Sequence, residues 1–157
     1  MNLAAICIWT LGTVSLAAPT VAQELKVSTD TSDASYLSFD LDQLDALPQT
    51  SFQTETIWTE GMVEFSGVAL AELLKASGSK GDSVRMIALN DYSIEMPMAE
   101  VGDEFPIVAT RMNGETMSVR DKGPYWLVYP YDTGPEYQTE VIYSRSIWQL
   151  SELAVID

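Results

Sequence analysis

Apolar positions along the chain change period several times, and each change predicts an element. In Phe39-Asp-Leu-Asp-Gln-Leu-Asp-Ala-Leu47 the leucines Leu41, Leu44 and Leu47 recur every third residue, which predicts a short helix stopped by Pro48. Thr50–Trp58 alternates β-branched and aromatic residues with polar ones and predicts a strand. Phe65-Ser-Gly-Val-Ala-Leu-Ala-Glu-Leu-Leu-Lys-Ala-Ser-Gly78 predicts the best helix, with Ser66 as N-cap, Leu70, Leu73 and Leu74 on one face, and Gly78 just past its end. Ser83–Leu89 and Tyr92–Met96 read as strands around Asn90-Asp91, and Ala99–Asp103 as a helical turn. Pro106–Met112 and Glu115–Val119 flank Asn113-Gly114, a two-residue hairpin turn. Pro124-Tyr-Trp-Leu-Val-Tyr129 is almost continuously apolar, as a buried central strand would be, and Ile147–Ile156 supplies the last strand. Many short strands, one good helix and a few helical turns make an α+β domain. Between Pro130 and Ser146 the connection is long and rich in Tyr131, Tyr137 and Tyr143. It serves either as a ligand or partner loop or as a cover over an apolar flank.

The amino-terminal pattern differs. Residues 3–18 are apolar or small and uncharged, too short to cross a bilayer comfortably, and Thr20-Val21-Ala22 precede Gln23. This predicts a secretory signal peptide over residues 1–22 and a mature domain over 23–157, although no Lys or Arg precedes the apolar run. An uncleaved anchor helix is the alternative. The expected compartment is the periplasm.

Composition narrows the chemistry. The chain of 157 residues has no histidine and one cysteine, Cys7. A Ser-His-Asp triad, a Cys-His pair, an HExxH zinc site, an internal disulfide and a thiolate zinc cluster are therefore excluded. A formal net charge of -15 argues against nucleic acid and anionic membranes as partners. Residues 24–64 carry nine acidic side chains and one basic, whereas Arg111, Arg120, Lys122 and Arg145, half of all Lys and Arg, lie in the final third. Such guanidinium groups either hold a small anion or an electron-rich heterocycle, or neutralise the acidic body in surface pairs. Asp91 and Asp132 each neighbour a tyrosine in a turn; a carboxylate there can accept adjacent N–H groups from a 2-amino-4-oxo ring edge, or simply serve the turn. Trp58, Trp126 and Trp148 are core residues or stacking platforms.

Four segments, in order, carry a family resemblance. Phe65-Ser-Gly-Val-Ala-Leu-Ala-Glu-Leu-Leu74 is similar to an "aromatic-x-G-V-P-L-x-x-L-L" motif, and Arg111-Met-Asn-Gly-Glu115 to an "NGEPL" hairpin. Lys122-Gly-Pro-Tyr-Trp-Leu-Val-Tyr-Pro130 resembles "G-x-P-x-R-L-V-V-P", and Tyr143-Ser-Arg-Ser-Ile-Trp148 resembles "G-x-R-S-V-K-W". Together they resemble the molybdopterin-binding domain of the sulfite oxidase family, which implies a single-domain mixed-sheet fold with few short helices. In that family's enzymes a cysteine thiolate ligates molybdenum in the region that here reads Glu55-Thr-Ile-Trp-Thr59, where no Cys stands. The family lysine after "RSV" is matched here by Trp148.

The resemblance therefore implies a non-catalytic periplasmic pterin-binding sensor that expects no metal. It would dock on the periplasmic domain of a membrane signalling protein, a diguanylate cyclase/phosphodiesterase or a sensor kinase, and bias cyclic-di-GMP turnover. The expected pterin site comprises Trp58, Asp91, Tyr92, Arg111, Arg120, Asp121, Tyr131, Asp132, Ser144, Arg145, Ser146 and Trp148. Two alternatives stay open: a component of a molybdopterin-dependent oxidoreductase, and an interaction module without ligand.

Overall fold

The computed structural model describes residues 23–30 and 36–157. The expected signal segment, with Cys7, lies outside the described residues. Two five-stranded sheets form the body. The first contains β1 (Leu25–Ser28), β2 (Tyr36–Phe39), β5 (Ser83–Ala88), β6 (Ser93–Pro97) and β10 (Leu150–Ile156), in the order β2-β1-β10-β5-β6. All its pairs are antiparallel except β1 with β10. The second contains β3 (Gln49–Glu55), β4 (Met62–Ala69), β7 (Ile107–Met112), β8 (Glu115–Thr116) and β9 (Trp126–Val128). Here β4 lies between β3 and β7, and β8 and β9 share the far edge of β7. Among the described residues, three short α-helices accompany the sheets: α1 (Leu41–Asp45), α2 (Leu70–Ser77) and α3 (Glu140–Arg145). The expected α+β mixed-sheet class is what the chain adopts. No helix among the described residues is long and apolar enough to cross a membrane.

The centre of the second sheet, at β7 and β9, is buried on both faces. Its period of two sends Val68, Val108 and Leu127 into a large core shared with Leu25, Leu70, Leu73, Met86 and Leu153. The alternate residues Phe65, Ile107, Ala109, Trp126 and Val128 enter a second core on the opposite side. This explains the nearly unbroken apolar run at β9. By pairing, however, β9 is not central: it bonds only β7 among the strands, and on its other side the Leu127 N–H donates to the Ile147 carbonyl at 2.9 Å.

Local chemistry sets the element ends. Asp40 caps α1 and forms a reciprocal box with Gln43, at 2.8 and 2.9 Å. Gly78 ends α2 in the left-handed region with φ 70. Asn113 and Gly114 both have positive φ, 53 and 81, as the predicted tight hairpin requires.

The expected helix at Phe65–Gly78 is corrected. Phe65–Ala69 complete β4, Ser66 is no helix cap, and α2 begins at Leu70. Strand pairing on both sides overrides the helical spacing, and Gly67 packs against the Val108 carbonyl so closely that a Cβ would clash with backbone. Leu70 donates its N–H to the Pro106 carbonyl at 2.9 Å in place of a side-chain cap. The expected turn at Ala99–Asp103 is a 3-10 turn at Met98–Glu100. The strand expected to reach Trp58 stops at Glu55, and the one expected from Ile147 starts at Leu150, after Gln149 at φ 53. The long connection holds 3-10 turns at Tyr131–Thr133 and Pro135–Tyr137 and then α3, whose Thr139 side chain caps the Ile142 N–H at 3.3 Å.

Candidate functional site

Three segments converge on a cavity of about 340 Å³ where the open end of the second core meets the first sheet. This is within the usual range of about 300–1,000 Å³ for small-molecule sites. The β5–β6 turn contributes Ala88, Asn90 and Tyr92; α3 and the chain after it contribute Tyr143, Ser144, Ser146, Ile147 and Trp148; the loop after β3 contributes Trp58.

Each segment is held by its own bonds. In the β5–β6 turn Asp91 takes φ 64, the Ala88 N–H donates to the Tyr92 carbonyl at 2.9 Å, and the Tyr92 N–H donates to Asn90 Oδ1 at 3.2 Å. Leu89 N–H donates to the Gln149 carbonyl at 2.9 Å, and the Tyr92 hydroxyl to the Ser144 carbonyl at 3.3 Å, joining turn to helix. Trp58 is positioned by Thr56, whose Oγ1 accepts from the Trp58 N–H at 3.0 Å. Its ring then meets Trp126, Tyr131, Tyr143 and Trp148 edge to face, with centroids 5.9–6.0 Å away. Trp126 lies beneath this cluster, fully buried, with its indole N–H donating to the Ser146 carbonyl at 3.2 Å.

Ser146 is fully engaged. Its hydroxyl accepts from the Tyr131 hydroxyl at 2.6 Å and donates to the Ile142 carbonyl at 2.8 Å. Burial pushes the Tyr131 hydroxyl up to about 12, partly opposed by that bond. Ser146 thus lines the cavity as a pin for α3, while the Asn90 amide nitrogen has no partner among the described bonds and is available as a donor.

A second cavity of about 220 Å³ adjoins the first, sharing Tyr143. Glu55, Thr56, Ile57, Tyr131, Asp132 and Gln138 complete its lining. Asp132 Oδ2 accepts from the Glu55 N–H at 2.6 Å and from Thr54 Oγ1 at 3.1 Å, which ties the 3-10 turn to the end of β3.

Of the residues expected in the site, the structure brings Trp58, Tyr92, Ser144, Ser146 and Trp148 to the first cavity, and Tyr131 and Asp132 to the second. Asp91 sits in the turn but lines neither cavity, because its left-handed backbone serves the hairpin. Arg111 is drawn away by Asp45 in a bidentate pair, both contacts 2.6 Å, which holds the Asp45 carboxyl below its usual range. Arg145, only 11% exposed, pairs with Glu100 at 2.7 Å. Asp121 accepts from the Ser118 hydroxyl at 2.7 Å in a 3-10 turn, and Arg120 stands exposed on the same turn. None of these four lines either cavity. Tyr143 and Asn90 were not among the expected site residues; Tyr143 opens the motif already matched at 143–148, and Asn90 belongs to the predicted hairpin turn.

The first cavity can therefore take a flat, uncharged ring against aromatic walls and offer it amide and hydroxyl groups. Its donor set contains no thiolate, and no group of His, Cys, Asp or Glu among the described residues is arranged to hold a metal ion.

A family profile described as the oxidoreductase molybdopterin binding domain matches residues 15–136. Among solved structures, the sulfane dehydrogenase SoxCD from Paracoccus pantotrophus is similar in fold, with TM-score 0.63 and 20% identity over 86% of this chain. The match spans 38% of that protein's chain. No curated protein sequence matches.

Proposed function

Because this chain belongs to the oxidoreductase molybdopterin binding domain family, we propose that it binds a pterin ring in the first cavity and acts as a non-catalytic regulatory protein of the periplasm. The carrying observation is the cavity itself: indole and phenol rings of Trp58, Trp148, Tyr92 and Tyr143 line an uncharged space. A reduced pterin is planar, bicyclic and rich in N–H and carbonyl groups, which suits aromatic walls and the Asn90 amide.

The metal-bearing end of molybdopterin does not fit these residues. Molybdenum in this family takes a soft thiolate, and the single cysteine of the chain is Cys7, far in sequence from the Glu55–Thr59 stretch that matches the enzymes' ligand. Trp58 stands in that stretch, and an indole ring supplies no such bond. No oxidoreductase step is derived, and the fitted role is recognition. In this reading the ligand-bound protein docks on the periplasmic domain of a membrane signalling protein, and ligand occupancy sets the partner's output. That last step rests on family likeness alone.

Mass spectrometry and fluorescence of the small molecules carried by the native protein test the reading, together with its molybdenum content. A co-purifying pterin with no molybdenum is the expected result. One equivalent of molybdenum would favour the oxidoreductase alternative. Absence of any pterin, with no pterin binding by calorimetry, would favour an interaction module without ligand.

A further inference from the structure

Resting on that pterin reading, we infer that the site selects its ligand by charge: it accepts pterins whose substituent is uncharged or cationic and rejects their phosphate esters. Neither cavity has a Lys or Arg in its lining. Three arginines are occupied elsewhere: Arg85 by Glu95, Arg111 by Asp45, and Arg145 by Glu100. Lys122 lies over the Trp126 ring, 5.6 Å from its centroid, and also lines neither cavity. A phosphate ester brings about −1.5 to −2 charges at neutral pH and binds where guanidinium, ammonium or clustered N–H groups meet it. Guanidinium and ammonium groups are absent from this lining.

The second cavity adds repulsion. It adjoins the first at Tyr143, and its lining includes two carboxylate residues, Glu55 and Asp132. Asp132 is held in place through one oxygen by the Glu55 N–H and Thr54, leaving Oδ1 without a partner among the described bonds. A substituent that passes from the ring into the second cavity would meet these acceptors. Hydroxyl or amino groups can donate to them, whereas a phosphate would face like charge. The net charge of -15 works in the same direction at longer range.

The test titrates tryptophan fluorescence of the native protein with dihydroneopterin and with dihydroneopterin monophosphate, at low and high salt. The ester is expected to bind at least about tenfold more weakly than the parent, with the gap narrowing in high salt as charges are screened. In Glu55→Gln, whose exposed side chain leaves the backbone bond to Asp132 in place, the ratio of parent to ester affinity should fall severalfold, and an unchanged ratio counts against the charge selection. Equal or tighter binding of the ester by native protein overturns the charge selection and leaves the ring reading intact. Failure of both compounds to bind overturns the ring reading, and this inference with it.

Discussion

Replacing Ser146 by Ala tests whether the residue is the pin that holds the cavity wall. The change removes two bonds, the one accepted from the Tyr131 hydroxyl and the one donated to the Ile142 carbonyl. Ser146 is 1% exposed and Tyr131 2% exposed, so water does not replace the lost acceptor without rearrangement. A buried polar group left unsatisfied costs about 1–3 kcal/mol. Ser146→Ala is therefore expected to lose about 2 kcal/mol, and Tyr131→Phe about 1 kcal/mol, since Ser146 keeps its bond to Ile142. The double variant should cost no more than Ser146→Ala alone, because no hydroxyl is then orphaned. The coupling energy is thus about 1 kcal/mol. Urea unfolding followed by far-ultraviolet circular dichroism reads all four proteins, and a slope of about 1–3 kcal/mol per molar turns 2 kcal/mol into a midpoint shift of roughly 1 M. Strict additivity of the two single changes would refute the argument, as would a Ser146→Ala variant as stable as the parent.

Four further outcomes follow from the same geometry. Trp148→Ala, at a ring 39% exposed that also packs on Trp58 and Trp126, should weaken pterin binding by calorimetry about tenfold, since stacking on one aromatic ring is worth about 1–3 kcal/mol, and should lower thermal stability as well. Gly67→Ala should cost more than about 3 kcal/mol in urea unfolding, because the new Cβ meets the Val108 backbone between paired strands. Asp45→Asn should cost about 1 kcal/mol or less at neutral pH and leave ligand binding unchanged. The Asp45 carboxyl is lowered by its bond to Arg111, so its contribution is full above the unfolded value of 3.8 and vanishes as pH falls through the lower folded value; the gap between native and variant should close in acid. In alkali the sign reverses for Tyr125 and Tyr131, both pushed up to about 12 chiefly by burial: the unfolded chain ionises first, near 10.0, so stability should hold below that pH and decline from there to about 12.

Short-range chemistry in the sequence was enough for elements whose signals are local. The leucine spacing marks α1, Asn113-Gly114 marks a hairpin, Gly78 marks the end of α2, and the apolar run at Trp126–Val128 marks a strand buried on both faces. Composition alone removed histidine and thiolate chemistry. Where local preference met tertiary pairing, the pairing won: Phe65–Ala69 has helical spacing yet lies between β3 and β7. The candidate site divides in the same way. Trp58, Tyr92 and Trp148 were legible as aromatic residues in a poorly aromatic polar context, but the meeting of three distant segments on one cavity is a property of the packed sheets. The arginines show the reason most plainly. A guanidinium in the sequence is an available anion site, but in the fold its direction depends on the carboxylate it reaches. Asp45 lies 66 residues before Arg111, and Glu100 approaches Arg145 from the turn after β6. Only the tertiary structure could decide that the cations leave the cavity and that its walls are neutral.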